Sequence, residues 1–182
     1  VAHDRAESSA DAIGLLIRDV PDFPKPGILF KDITPLLGDP DGLAMAVEAM
    51  ASPWEGDGIE TVVGIEARGF ILGPSVARAL GAGFVPVRKA GKLPAATVSE
   101  RYGLEYGLDT VEMHTDALAP ARRTLVIDDV LASGGTAAAT ARLISATEAH
   151  IVGFGFLLEL GFLNGRDAIS EHRIDTVLTV QG

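Results

Sequence analysis

LVIDDVLASGGT, residues Leu125 to Thr136, sets the reading of this chain. The run Leu125-Val126-Ile127 has the unbroken apolar character of a strand buried on both faces, as in a parallel sheet. Two carboxylates, Asp128 and Asp129, then emerge at its carboxyl end, where open parallel sheets bind their ligands. Ala132-Ser133-Gly134-Gly135-Thr136 follows and leads into the Ala-rich helical sequence TAAATARLISA. Backbone N–H groups and the Ser133 and Thr136 hydroxyls would converge at that helix N-terminus, a place suited to a phosphate dianion. Strand, paired carboxylates, Gly-Gly turn and helix together suit a sugar phosphate. A structural alternative is that the aspartates cap a tight turn and the glycines only reverse the chain. Adjacent carboxylates after a buried strand are harder to explain that way, because like charges repel and carboxylates are seldom buried without partners. Ribose hydroxyls supply such partners. No lysine follows Gly135, so a Walker A nucleotide loop is disfavoured.

Outward from this motif the pattern is regular. Strand 124–128, helix 135–147, strand 151–158, a short helix near 165–172 and strand 174–180 alternate toward the C-terminus. On the other side, Thr61 to Ile65 reads as a buried strand followed by Glu66-Ala67-Arg68-Gly69-Phe70 and a helix near Pro74 to Leu80. Phe84 to Val87 is a further short strand, and Thr110 to His114 another. Such alternation implies right-handed βαβ units, hence an α/β fold with a mainly parallel central sheet flanked by helices. Near the N-terminus, residues 1–9 are polar and expected to be loose, while Ile13, Leu16, Ile17 and Val20 mark an amphipathic first helix. PDFPKPGILFKDITPLL has too many prolines for a helix yet carries Phe23, Ile28, Leu29 and Phe30, so it is expected to be an extended loop that buries apolar groups. Asp41 to Met50 reads as a second helix, and Leu93 to Gly107 as a polar, Gly-rich mobile loop.

Composition bounds the function. The 182 residues fit one domain, 1–182, with a useful core, and 47% hydrophobic with 22% charged residues is ordinary for a globular protein. A formal charge of −10 argues against nucleic acid or an anionic membrane surface as the main partner. The chain has no cysteine and its four histidines lack metal-ligand spacing, which disfavours disulfides and a zinc site. With no apolar run approaching a membrane span and no signal-like segment at the start, a cytoplasmic protein is the expectation.

In so acidic a chain, the cations near predicted strand ends stand out. Arg68 directly follows a buried strand, where a cation is costly unless it meets an anion; a salt bridge with Glu66 is the structural alternative. Arg88, Lys89 and Lys92 lie within five residues of one another. They form either a solvated face or, with Arg68, a site for a diphosphate leaving group. The loop SERYGLEYG adds Glu100, Tyr102, Glu105 and Tyr106, which read on pattern alone as loop polar groups.

The segment 125–136 resembles the phosphoribosyl pyrophosphate (PRPP) motif of type I phosphoribosyltransferases, with Ser133 where that family usually has Thr. IRDVPDFPKPGILFKDITPLL, GIEARGF, VPVRKAGKLP and RYGLEYG occur in the order and approximate spacing of the family's adenine-using members, covering most of residues 13–182. The resemblance implies the family's fold with a small N-terminal hood, and the transfer of phosphoribose from PRPP to adenine, giving AMP and diphosphate. It further implies that Phe30 lies against the purine, with the Leu29 backbone and Lys31 at its edge and Leu160 on the other face. Lys31 stands where family members commonly have Arg, and lacks its planar fork. By the same resemblance, Arg68, Arg88, Lys89 and Lys92 hold the diphosphate, Asp128 and Asp129 the ribose hydroxyls, and Ala132 through Thr136 the 5′-phosphate. Glu105 is the candidate for proton transfer at the purine N7, with Tyr106 helping loop closure. Mg²⁺ would arrive on PRPP oxygens and waters rather than in a protein cage, and the assembly would be a homodimer. Two rival readings remain: a family member using another base, and a PRPP-sensing regulator, which the acidic charge and the shortage of residues before Ile13 disfavour.

Overall fold

Apolar runs of five to nine residues alternate with Ala- and Leu-rich helical stretches, and they assemble here around one large sheet. The computed structural model describes residues 2–104 and 107–181. The chain divides into two compact units, residues 1–49 and 50–182.

In the first unit, helix α1 (Ala2–Leu15) is followed by an antiparallel pair, β1 (Arg18–Pro21) and β2 (Leu29–Asp32), then α2 (Thr34–Gly38) and most of α3 (Pro40–Ala51). The expected helix through Val20 is not formed. The helix closes with Leu16 and Ile17 N–H groups bonded three residues back, and Arg18 to Pro21 pairs instead with Asp32 to Leu29. Cross-strand ion pairs favour this pairing: Arg18 meets Asp32 at 2.6 Å and Lys31 meets Asp19 at 2.6 Å. α1 begins at Ala2, inside the stretch read from sequence as loose. The Pro-rich segment buries Ile33 and Leu36, but Phe23, Ile28 and Leu29 stay exposed, so it buries less apolar surface than expected. The start of α3 is packed closely, since a Cβ at Gly42 would lie 3.1 Å from Leu36 Cδ1.

The second unit contains β3 (Thr61–Ile65), α4 (Gly69–Leu80), β4 (Gly83–Lys89), β5 (Thr97–Leu104), β6 (Gly107–His114), β7 (Arg123–Leu131), α5 (Gly135–Ser145), β8 (His150–Leu160) and β9 (Ile174–Val180). Its sheet has the order β5-β6-β4-β3-β7-β8-β9. The pairs β3–β4, β3–β7, β7–β8 and β8–β9 are parallel, whereas β4–β6 and β5–β6 are antiparallel. The mainly parallel α/β architecture read from the sequence is therefore present, with an antiparallel hairpin added at one edge. Every residue of β3 is buried, as its unbroken apolar run required. Val63, Ile65, Val126, Phe154 and Phe156 join Leu143 and Ile144 of α5 in the core. Gly64 and Gly73 let α4 approach β3, since a Cβ at Gly73 would lie 2.7 Å from the Phe84 ring. Gly81, with φ of 68°, ends α4 in the left-handed conformation that glycine tolerates best.

Three expectations need correction here. α4 starts at Gly69 rather than near Pro74, which lies inside the helix. β7 runs on to Leu131, beyond the expected end at residue 128, so both aspartates lie within the strand, with Asp128 facing Phe156 of β8. Thr97 to Leu104, read as a mobile loop, is a strand whose residues face β6 from Thr97↔His114 to Leu104↔Gly107. Among the described residues, no helix is long and apolar enough to cross a membrane.

Candidate functional site

Parallel strands point their carboxyl ends the same way, so the ends of β3, β4 and β7 bring their following residues to one edge of the sheet. Asp129 is 4% exposed and its carboxylate is ion-paired with the Arg68 guanidinium at the start of α4. Arg68 therefore meets Asp129 rather than Glu66, the partner the sequence suggested. Asp128 is half-buried, and its Oδ1 accepts the Asp129 N–H at 2.9 Å. Burial, reinforced by the adjacent Asp129 charge, holds the Asp128 carboxyl well above the usual carboxylate range. Gly69 is tightly fitted here, because a Cβ would lie 3.0 Å from Asp128 Oδ1.

Glu66 organises the basic cluster at the carboxyl end of β4. Its carboxylate is ion-paired with Lys92, accepts the Lys89 N–H at 2.9 Å and lies 3.5 Å from Arg88 Nε. Burial pushes its pKa up, but the Lys92 ammonium and the Lys89 N–H outweigh burial and hold it below the ordinary value. Arg88 also donates to the Lys92 carbonyl at 3.1 Å and lies 5.9 Å from the Phe70 ring centroid. Lys89 instead reaches Asp109 of β6 at 3.0 Å. Each cation singled out from sequence thus has a resident carboxylate.

The segment read from sequence as a phosphate loop lies between β7 and α5. Gly134, with φ of 80°, is the N-cap of α5 and has no side chain to occupy the first-turn N–H groups, which point the way an anion would be received. Ala132 through Thr136, with Asp128, Leu131 and Phe156, line a cavity of about 70 Å³. Sequence reasoning overlooked the backing of this loop. After β8, a 3-10 turn (Gly165–Ile169) presses against it: a Cβ at Gly134 would lie 2.8 Å from Ala168 Cβ, and one at Gly165 would lie 3.1 Å from the Ala132 carbonyl carbon. Arg166 anchors the turn through paired contacts of 2.7 Å with Glu159, whose carboxyl is held low chiefly by that guanidinium. The Asn-Gly-Arg sequence at 164–166 was the available signal, a tight turn followed by a cation near a strand-end carboxylate.

Leu160 ends β8 and is half-buried. In the first unit, Phe30 is half-buried and meets Phe23 edge-on at 5.2 Å, Leu29 is exposed, and Lys31 is held by Asp19. Glu105 and Tyr106 lie outside the described residues.

A family model described as the phosphoribosyl transferase domain matches residues 42–177. The chain belongs to this family. A family member from Myxococcus xanthus, named adenine phosphoribosyltransferase, is 58% identical over 163 residues, spanning 90% of this chain and 89% of the relative. The crystal structure of adenine phosphoribosyltransferase from Rhodothermus marinus is similar at 52% identity and a TM-score of 0.91, covering 96% of this chain and 99% of that one. The Saccharomyces cerevisiae enzyme, solved with an imino-altritol bisphosphate and adenine, has 37% identity and a TM-score of 0.90, covering 94% and 99%. The mainly parallel sheet described above is thus that of a type I phosphoribosyltransferase fold.

Proposed function

We propose that this protein is an adenine phosphoribosyltransferase, which joins adenine to PRPP and releases diphosphate, giving AMP in purine salvage. The observation that carries the reading is the 58% identity, over nine-tenths of both chains, to a family member of that name. The site supports it chemically. A carboxylate pair in β7, the N-terminus of α5 behind Gly134 and a basic cluster at the end of β4 would supply groups for ribose, 5′-phosphate and diphosphate in that order.

Asp128 and Asp129 would accept hydrogen bonds from the ribose hydroxyls, and Ala132 through Thr136 would hold the 5′-phosphate with backbone N–H groups. Arg68, Arg88, Lys89 and Lys92 would bind the diphosphate and stabilise the charge that develops as its bond to the sugar breaks. The anomeric carbon gains oxocarbenium character, which nearby carboxylates favour. Phe30, the Leu29 backbone, Lys31 and Leu160 would hold adenine, with Glu105 exchanging the proton at N7 and Tyr106 helping to exclude water. The residues fit a magnesium ion carried by the substrate: Asp128 and Asp129 are hard oxygen donors, but Asp129 is committed to Arg68. When bound, Mg²⁺ would neutralise phosphate charge while these aspartates orient its waters. A homodimer acting in the cytoplasm belongs to the same proposal.

The test offers purified protein PRPP, Mg²⁺ and one base at a time, measuring diphosphate release and nucleotide formation. AMP formation with adenine alone is expected. Turnover with hypoxanthine, guanine or orotate instead would overturn the base assignment, and PRPP binding without turnover would overturn the enzyme reading.

A further inference from the structure

We propose that Asp109 is a positioning residue that couples Lys89 to the phosphate loop through Tyr102, and so sets the β5–β6 hairpin over that loop. The inference rests on the proposed function, in which Lys89 binds diphosphate and Thr136 the 5′-phosphate.

The hairpin hangs from the rest of the sheet by a short ladder, Arg88↔Glu112 and Lys89↔Val111. Its attachment therefore falls on two residues of the basic cluster. Two residues toward the hairpin tip from that ladder, Asp109 divides its carboxylate between functions. Oδ2 lies 3.0 Å from the Lys89 ammonium and accepts the Tyr102 hydroxyl at 3.2 Å, while Oδ1 accepts the Thr110 N–H at 2.8 Å. Tyr102 is 7% exposed and joins the core. β5 covers the loop directly, since a Cβ at Gly135 would lie 3.4 Å from the Gly103 carbonyl oxygen and 3.5 Å from Tyr102 Cδ2. Lys89, Asp109 and Tyr102 thus form a polar chain that starts at the proposed diphosphate position, and the Tyr102 ring carries it to Gly135 at the proposed 5′-phosphate position.

A second fastening has a different character. Arg142 of α5 meets Glu100 at 3.0 Å and donates to the Arg101 carbonyl at 3.3 Å. These side chains are 49% and 34% exposed and, among the described contacts, touch no residue assigned to PRPP, so the pair holds the hairpin without reporting on ligand. At Asp109, by contrast, an incoming diphosphate competes for Lys89. The carboxylate then keeps Tyr102, and the hairpin's position becomes dependent on how Lys89 is occupied.

The variants are Asp109→Asn, Tyr102→Phe, their combination, and Glu100→Gln as the control. Asp109→Asn leaves Lys89 free for diphosphate but weakens the hold on Tyr102. Its kcat is expected to fall about tenfold, as for one charge-assisted hydrogen bond, while KM for PRPP stays the same or falls. Tyr102→Phe should lower kcat similarly, the double variant should add little more, and Glu100→Gln should stay within about twofold of the parent. Hydrogen exchange of the unliganded protein should show faster exchange over 97–104 in Asp109→Asn. A raised PRPP KM with unchanged kcat, additive losses in the double variant, or an equal effect from Glu100→Gln would overturn the proposal. If the parent has no transferase activity, the proposed function fails and exchange alone decides: unchanged exchange over 97–104 overturns the coupling, and faster exchange supports it.

Discussion

Replacing Gly165 by alanine moves the phosphate loop without altering any group proposed to touch the ligand. Gly165 begins the turn behind that loop and does not use the left-handed backbone region, so alanine is conformationally acceptable there. The obstacle is space. The new methyl group would lie 3.0 Å from Leu131 Cδ1, 3.1 Å from the Ala132 carbonyl carbon and closer still to the Ala132 oxygen. Restoring ordinary contact requires the loop or the turn to withdraw by on the order of 1 Å, and Arg166, held by Glu159 at both ends of its fork, resists movement of the turn. The loop is therefore the part that yields. A displacement of about 1 Å in groups that position a substrate costs about a hundredfold in rate, or about 2.7 kcal/mol of transition-state stabilisation. The fold should lose only about 1–3 kcal/mol to overpacking. Initial rates over a range of PRPP concentrations, with thermal melts followed by circular dichroism, measure both. A kcat/KM within threefold of the parent would refute the assignment of Gly165 as the backstop of the phosphate loop.

Other expectations follow from single contacts. Asp128→Asn should raise thermal stability at neutral pH and weaken PRPP binding. Between the ordinary carboxylate pKa and the raised folded value, the folded state holds a proton that the unfolded state has lost, so stability falls as pH rises through that window. The variant's advantage should therefore vanish in melts below the ordinary pKa of 3.8; an equal advantage there would show that charge is not its source. Gly153→Ala would bring a Cβ 2.5 Å from the Trp54 ring and 2.7 Å from the Arg173 carbonyl oxygen, costing about 1–3 kcal/mol while activity per folded molecule is kept. Trp54 is the single tryptophan, so its emission follows the melt, and an unchanged midpoint would contradict the packing argument. Glu105→Gln should slow single-turnover AMP formation while PRPP binding is largely retained; unchanged single-turnover rates would remove Glu105 from the proton-transfer role.

Where one physical demand dominated, the sequence was readable. Burial on both faces leaves the runs 62–65 and 125–127 without a polar residue, and the carboxylates that follow each run announced both the parallel sheet and the edge where Asp128, Asp129 and Arg68 meet. The β5 strand was missed because its inward side is only partly apolar. Val98, Glu100 and Tyr102 alternate with the exposed Ser99, Arg101 and Gly103, but the middle inward residue is a charge satisfied by Arg142, a partner 42 positions away. The N-terminal misreading has the same origin, since Ile13, Leu16, Ile17 and Val20 fit a helical stripe while the deciding ion pairs to Lys31 and Asp32 lie across a hairpin. Cation clusters were visible, but which carboxylate meets which cation was not, because Arg68 passes over neighbouring Glu66 for Asp129, 61 residues on. Partners distant in sequence leave no local period.

Those resident carboxylates bear on how the proposed site would select among phosphorylated ligands. Arg68, Lys89 and Lys92 are each engaged by an aspartate or glutamate, and Arg88 shares the Glu66 carboxylate. An arriving anion meets occupied cations and must exchange partners with them. A metabolite bearing a single phosphate could unseat one carboxylate at most and would leave the others in place. A ligand with charge at both the helix end and the basic cluster displaces several at once. In the proposed site, discrimination against simple phosphates would thus be set before binding, by the company the cations already keep.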